Sequence, residues 1–172
     1  MKLLKYLFNM LICTMLGAVM VASDIAMEAL PNIHIVAVLI IVTTVVYRAW
    51  ALFSVYIYVI LNGLLSGFGI WWVAYLYVWT VLWAIVMLLP RRMPKWLAAI
   101  VYTVVCGAHG FAFGFLCALS QAPMLGVSIW AYTLSGIPFD VIHGISNLCL
   151  GTLILPLIAL FERLDKVTRR IC

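Results

Sequence analysis

The sequence predicts an all-α integral membrane protein: one bundle of six transmembrane helices over residues 1–172, with both termini cytoplasmic. Three observations carry this expectation. Apolar residues make up 68% of the chain and charged residues 9%, which is too little polar surface to coat a soluble globule. The apolar residues fall in six runs separated by short breaks, and most runs are apolar all round instead of striped. Finally, all ten Lys and Arg lie on one side of an alternating threading. Lys2 and Lys5 precede the first run and Arg48 follows the second. Arg91, Arg92 and Lys95 follow the fourth, and Arg163, Lys166, Arg169 and Arg170 follow the sixth. This is the positive-inside distribution of a multi-pass protein, expected here in the cell (plasma) membrane.

The first span is read from about Leu7 to Leu30 and ends at a very tight outer turn, Pro31-Asn32. The second covers Ile33 to Tyr47 and stops at Arg48. The third runs from Ala51 to Phe68, closing on Gly67-Phe68-Gly69. The fourth, Ile70 to Leu89, contains Trp71, Trp72, Trp79 and Trp83. Pro90-Arg91-Arg92-Met93-Pro94-Lys95 is the clearest cytoplasmic loop. The fifth span covers Trp96 to Leu119. Ser120 to Pro138 is expected as the longest outer connection, and Phe139 to Phe161 as the sixth span.

Six spans use nearly the whole chain, so no separate soluble domain is expected. No Gly-Lys pair occurs, which excludes a phosphate-cradling loop of the G-x-x-x-x-G-K-[ST] kind. Topology and anionic lipid account for the basic charge, so nucleic acid is not an expected partner. The N-terminal run has Met20 where a signal peptidase needs a small residue, and is read as a retained helix. Cys13, Cys106, Cys117, Cys149 and Cys172 show no C-x-x-C spacing and read as packing residues. No cofactor is expected.

Acidic residues inside apolar helices cost about 2.5–3.5 kcal/mol at the bilayer centre, so they mark function or partners. Asp24 and Glu28 lie near the outer end of span one, where they can reach the interface. Asp140, His143 and Asn147 follow an i, i+3, i+7 spacing on one face of span six, a polar stripe that must face the bundle interior. His109 on span five has Tyr102, Cys106 and Phe113 on its face. Trp72, Tyr75, Trp79 and Trp83 recur at helical spacing on span four, and span three adds Asn62. Together these predict an outward-opening, aromatic-walled cavity with a few polar heads, the composition of a small-molecule site. The competing readings are interfacial tryptophans and polar contacts between helices. Metal binding is not expected: His109, His143, Asp140 and Cys106 are suitable donors, but no His pair has i, i+4 spacing and no fourth ligand is evident. Cys106, three residues before His109, is a poor lead for nucleophilic catalysis, and the chain is not expected to be an enzyme. Ala18, Ala22 and Ala26 form a small-residue stripe on span one that allows close approach of another helix.

In order and spacing, these features resemble the substrate-binding (S) components of energy-coupling factor (ECF) transporters. The resemblance rests on the Leu30-Pro31-Asn32-Ile33 turn, the Asn62-Gly63 and Ser66-Gly67 pairs, the aromatic fourth span, and Gly136-Ile137-Pro138-Phe139-Asp140-Val141-Ile142-His143 through Asn147. It covers nearly the whole chain. It implies capture of a vitamin or related micronutrient in an outward pocket, then docking on a shared transmembrane subunit driven by two ATPase subunits. Under it, Asn62, Trp72, Tyr75, Trp79, His109, Asp140, His143 and Asn147 are the expected substrate-binding residues. Ala18 and Ala22, extending to Ala26, map onto the family's alanine-x-x-x-alanine docking motif. The chain departs from the family in its short first outer turn, so the segment Ser120 to Pro138 is the expected lid. The alternative is a stand-alone tryptophan-rich membrane binder or sensor of a tetrapyrrole or lipid, and a membrane enzyme is third.

Overall fold

A computed structural model describes the backbone of residues 2–171 and the side chains of residues 6–169. The side chains of Lys2, Lys5 and Arg170, and all of Cys172, lie outside the described residues. The described residues form seven α-helices and one short 3-10 helix, with no strand among them: α1 (Lys2–Ala26), α2 (Val36–Tyr47), the 3-10 helix (Arg48–Trp50), α3 (Ala51–Ser66), α4 (Ile70–Leu88), α5 (Lys95–Met124), α6 (Ile129–Gly151) and α7 (Ile154–Ile171). By length and hydropathy, four stretches can cross a membrane: Tyr6–Ala26, Val36–Ser66, Ile70–Leu88 and Lys95–Met124. The bent pair α6–α7 makes up to a fifth.

The stretch Val36–Ser66 is folded back on itself. Trp79 of α4 touches both His34, just before α2, and Tyr58 of α3. Further along α4, Trp83 and Met87 both meet Arg48, where α2 passes into α3. The two segments thus lie beside α4 with their common end at Arg48. Its backbone takes the left-handed φ of 55° that the reversal requires. At 1.5 Å per residue α2 is only about 18 Å long. It is also the centre of the bundle: every residue from Val36 to Thr44 is buried, as its all-round apolar sequence demands. Cys13, Gly17, Met20 and Val21 of α1 are buried, with Gly17 seated against Ser54 and Ile57 of α3. Phe8 and Asn9 near the start of α1 contact Arg169 near the end of α7, so both ends of the chain lie at the same end of the bundle.

Three boundaries differ from the sequence reading, each for a local reason. First, α1 stops at Ala26, not Leu30. Pro31 bars Leu30 from helical geometry, and the amides of Glu28 and Leu30 make i→i−3 bonds in place of the α-helical ladder. Asn32 then adopts φ 62°, which Asn tolerates. The turn between α1 and α2 is therefore the nine residues Met27–Ile35.

Second, the expected long connection Ser120–Pro138 is mostly helix. α5 continues to Met124, and α6 begins at Ile129. The reversal between them is a Schellman motif: Val127 N donates to Ala122 O at 3.0 Å, Gly126 N donates to Pro123 O at 3.2 Å, and Gly126 supplies φ 68°. No loop long enough to act as a lid remains there.

Third, the expected span from Phe139 to Phe161 breaks at Thr152–Leu153, with a 53° bend. Pro156 has no N–H to give Thr152, and its ring crowds that carbonyl. It therefore fits in the first turn of a new helix but not within a continuous one.

Candidate functional site

The α5–α6 hairpin is the most intimate packing in the molecule, and glycines make it so. A Cβ on Gly110 would stand 2.9 Å from the Gly144 backbone, and one on Gly114 would lie within 2.8 Å of the whole Asp140 carboxylate. This close approach lets Asp140 Oδ1 accept from Gly114 N at 2.8 Å. It also lets Asn147 Nδ2 donate to Cys106 O at 3.2 Å. The polar stripe of α6 thus faces α5, as its spacing predicts.

Four aromatic rings from four elements close a circuit above this seam. His34 from the outer turn meets His143 of α6 at 4.6 Å between centroids. His143 meets Phe113 of α5 at 4.7 Å. Phe113 meets Trp79 of α4 at 5.4 Å, and Trp79 returns to His34 at 5.8 Å. His109 packs on Trp79 at 5.5 Å and on Phe113 at 6.0 Å. Tyr75 and Tyr58 flank Trp79 at 5.6 and 5.8 Å. The heart of the cluster is buried, with Trp79 and Asn147 0% exposed, His143 2% and His109 4%, while His34, Phe113 and Tyr75 at its edge are half-buried.

Five polar atoms of this cluster are buried without a protein partner: His34 Nδ1, Trp79 Nε1, His109 Nδ1, His143 Nε2 and Asn147 Oδ1. Leaving one such atom unsatisfied costs about 1–3 kcal/mol, so five in one place go far beyond ordinary packing. Three of them have defined hydrogen-bonding characters. Trp79 Nε1–H is a donor. Asn147 Oδ1 is an acceptor, because its amide nitrogen is engaged by Cys106 O. His109 Nε2 lies 3.2 Å from Val78 O, which only accepts. The His109 proton therefore resides on Nε2, and Nδ1 of the neutral ring is an acceptor. The cluster thus presents two acceptors and one donor among aromatic rings packed at 4.6–5.8 Å between centroids. Among the described residues, no group of three or more His, Cys, Asp or Glu is placed to hold a metal ion.

Of the eight binding residues expected from sequence, Tyr75, Trp79, His109, His143 and Asn147 come together in or against this cluster. Asp140 sits one turn outward from His143, bonded to Gly114. Asn62 and Trp72 lie beside the cluster, in a network joined to it through Tyr58. Asn62 Nδ2 and Tyr58 Oη each donate to Asp24 Oδ2 at 2.9 Å, and Trp72 Nε1 donates to Val59 O at 2.9 Å. Asp24 is thus held between helices, whereas Glu28 is exposed.

His34 is the residue that sequence reasoning missed. No periodicity covers a turn, and only its being the third histidine in a chain with three marks it. Ser146 Oγ donates to Asn32 O at 3.1 Å, which ties the outer turn down over the cluster. Met27–Ile35 therefore lies against the cluster, through Asn32 and His34. Ala18, Ala22 and Ala26 are all exposed, on a face of α1 turned away from the bundle.

No family model, curated protein or solved structure matches this chain.

Proposed function

We propose that this chain is the substrate-binding subunit of an ECF-type importer, capturing a vitamin-like solute and passing it to a transmembrane subunit with two ATPase subunits. The observation that carries the reading is the set of five unpartnered polar atoms gathered in an aromatic cluster against the α1–α2 turn. Such a site binds by stacking area and selects by hydrogen bonds that no other guest can satisfy. Its acceptors and donor suit a planar, uncharged heteroaromatic bearing N–H or O–H groups on one edge and an acceptor on another. The solute enters from the end covered by Met27–Ile35, and that turn lifts to admit it.

Three further features support this reading. With α2 and α3 counted as separate, short crossings of the apolar stretch Val36–Ser66 and α6–α7 as one broken span, the reading has six crossings. Both chain ends then lie on the cytoplasmic side with the basic clusters, in the plasma membrane. Ala18, Ala22 and Ala26 are exposed on α1, and their small side chains would let another helix approach closely.

Native mass spectrometry of the detergent-purified protein tests the reading. One heteroaromatic metabolite per chain, and co-purification of a transmembrane–ATPase module on co-expression, are the expected results. A protein that carries no small molecule, and whose tryptophan fluorescence ignores a panel of vitamins, overturns it. A bound tetrapyrrole or lipid without any module assigns it to the stand-alone binders.

A further inference from the structure

The opposite, basic end of the bundle contains a cleft that cargo binding does not use. It has a volume of about 560 Å³ and lies between the α4–α5 loop, α5 and α7. Arg91, Lys95 and Tyr102 line its polar side, with Val45, Leu155 and Ile158 on the apolar side. Val45, Arg91 and Tyr102 also line a smaller cavity of about 180 Å³, together with Arg48. Arg48 is the residue at φ 55°, a conformation that strains a non-glycine residue. Its Nη2 donates to Met87 O at 2.9 Å, while its Nε is buried with no protein partner.

The charges around this cleft are unbalanced. Among the described residues the one ion pair is Arg169–Asp165, on α7. Arg48, Arg91 and Lys95 therefore have no counter-ion, and Glu162, which also lines the cleft, is beyond pairing distance of any described cation. The helix α5 starts here with Pro94 as its N-cap and no side-chain cap. Its first-turn amides and the positive end of its dipole add to the field. Two cations, Arg91 and Lys95, and an uncapped helix N-terminus thus border the apolar wall of the cleft, and Arg48 lines the smaller cavity that shares Arg91 with it.

We propose that this cleft holds the phosphodiester headgroup of an anionic phospholipid, with an acyl chain along Leu155, Ile158 and Ala159. A soluble phosphate would use the cations but leave the apolar wall idle, whereas a lipid uses both. Basic pockets between helices at a membrane interface select anionic headgroups in this way. The site is independent of the cargo cluster at the other end.

The test is native mass spectrometry and lipid titration of the purified protein in detergent. Phosphatidylglycerol is compared with phosphatidylcholine, for the wild type and for Arg91→Gln/Lys95→Gln. Both residues are exposed, so the variant should keep its helicity and Tm. One phosphatidylglycerol is expected to remain bound per wild-type chain, with phosphatidylcholine lost. Affinity should fall roughly thirtyfold in the double variant, at about 1 kcal/mol for each basic residue removed. The control Arg163→Gln/Lys166→Gln, which removes equal charge from α7, should leave binding unchanged. Ala159→Trp, which narrows the apolar wall without touching a charge, should also weaken binding. Equal losses in the double variant and the control, or equal retention of phosphatidylcholine, overturn the proposal. Displacement of the lipid by millimolar inorganic phosphate also overturns it, and assigns the cleft to a soluble anion.

Discussion

Trp79 is the residue whose replacement separates structure from binding most cleanly. Its indole N–H has no protein partner, so Trp79→Phe keeps an aromatic ring, removes an unsatisfied donor and gives up only the packing of the smaller ring of the indole. Thermal unfolding without ligand should move by about 1 kcal/mol or less, while affinity for the cargo should fall about tenfold or more. A variant that binds normally would take the indole N–H out of the site. Asn62 should behave in the opposite way. Its amide serves Asp24, so Asn62→Ala leaves a carboxylate with one donor in place of two. Stability should drop by about 1–3 kcal/mol with cargo affinity unchanged. Weakened binding at full stability would instead join the Asp24 network to the site. The sequence stripe Asp140–His143–Asn147 identified the interior face of α6, because helical spacing is a local property. Which of its members meets the aromatic circuit depends on where α4, α5 and the outer turn arrive.

At the scale of elements, the α5–α6 seam depends on glycine at the points of closest approach. Gly114→Val would drive a side chain into the Asp140 carboxylate and should cost about 1–3 kcal/mol or more in unfolding measurements. Gly136→Ala is the control: its Cβ would meet nothing nearer than Asp140 Oδ2 at 4.0 Å, so it should be neutral. If both variants melt alike, close packing at Gly114 is not what holds the hairpin. Gly107, Gly110 and Gly114 follow an i, i+3, i+7 spacing that was legible in the sequence. Their meaning was not, since small residues mark a close approach without naming the partner. Pro156 tells the reverse story: its break of α6 from α7 follows from its own missing N–H, so its effect is written locally.

For the whole molecule, the proposed division of labour separates a cargo cluster at one end from a docking face along α1. Ala22→Trp places bulk on an exposed face without touching the cluster. Cargo binding should therefore be retained, while assembly with the transmembrane–ATPase module and uptake should be lost. Normal uptake by this variant would remove the alanine face from the docking surface.

By itself, the sequence determined that the chain is helical and apolar enough for a membrane. It also determined that the basic residues gather at one end and that α6 turns a polar stripe inward. Composition, charge placement and helical period act over one turn or one span, and they survive any arrangement of the helices. Only the tertiary structure decided that the chain folds back at Arg48, that α5 and α6 extend through the expected lid, and that the Met27–Ile35 turn brings His34 to the aromatic cluster. It also decided that Asn62 serves Asp24 rather than the histidine cluster. Each of these outcomes is a contact between residues far apart in the chain, selected by burial and hydrogen-bond satisfaction across the whole bundle, and local patterns do not encode them.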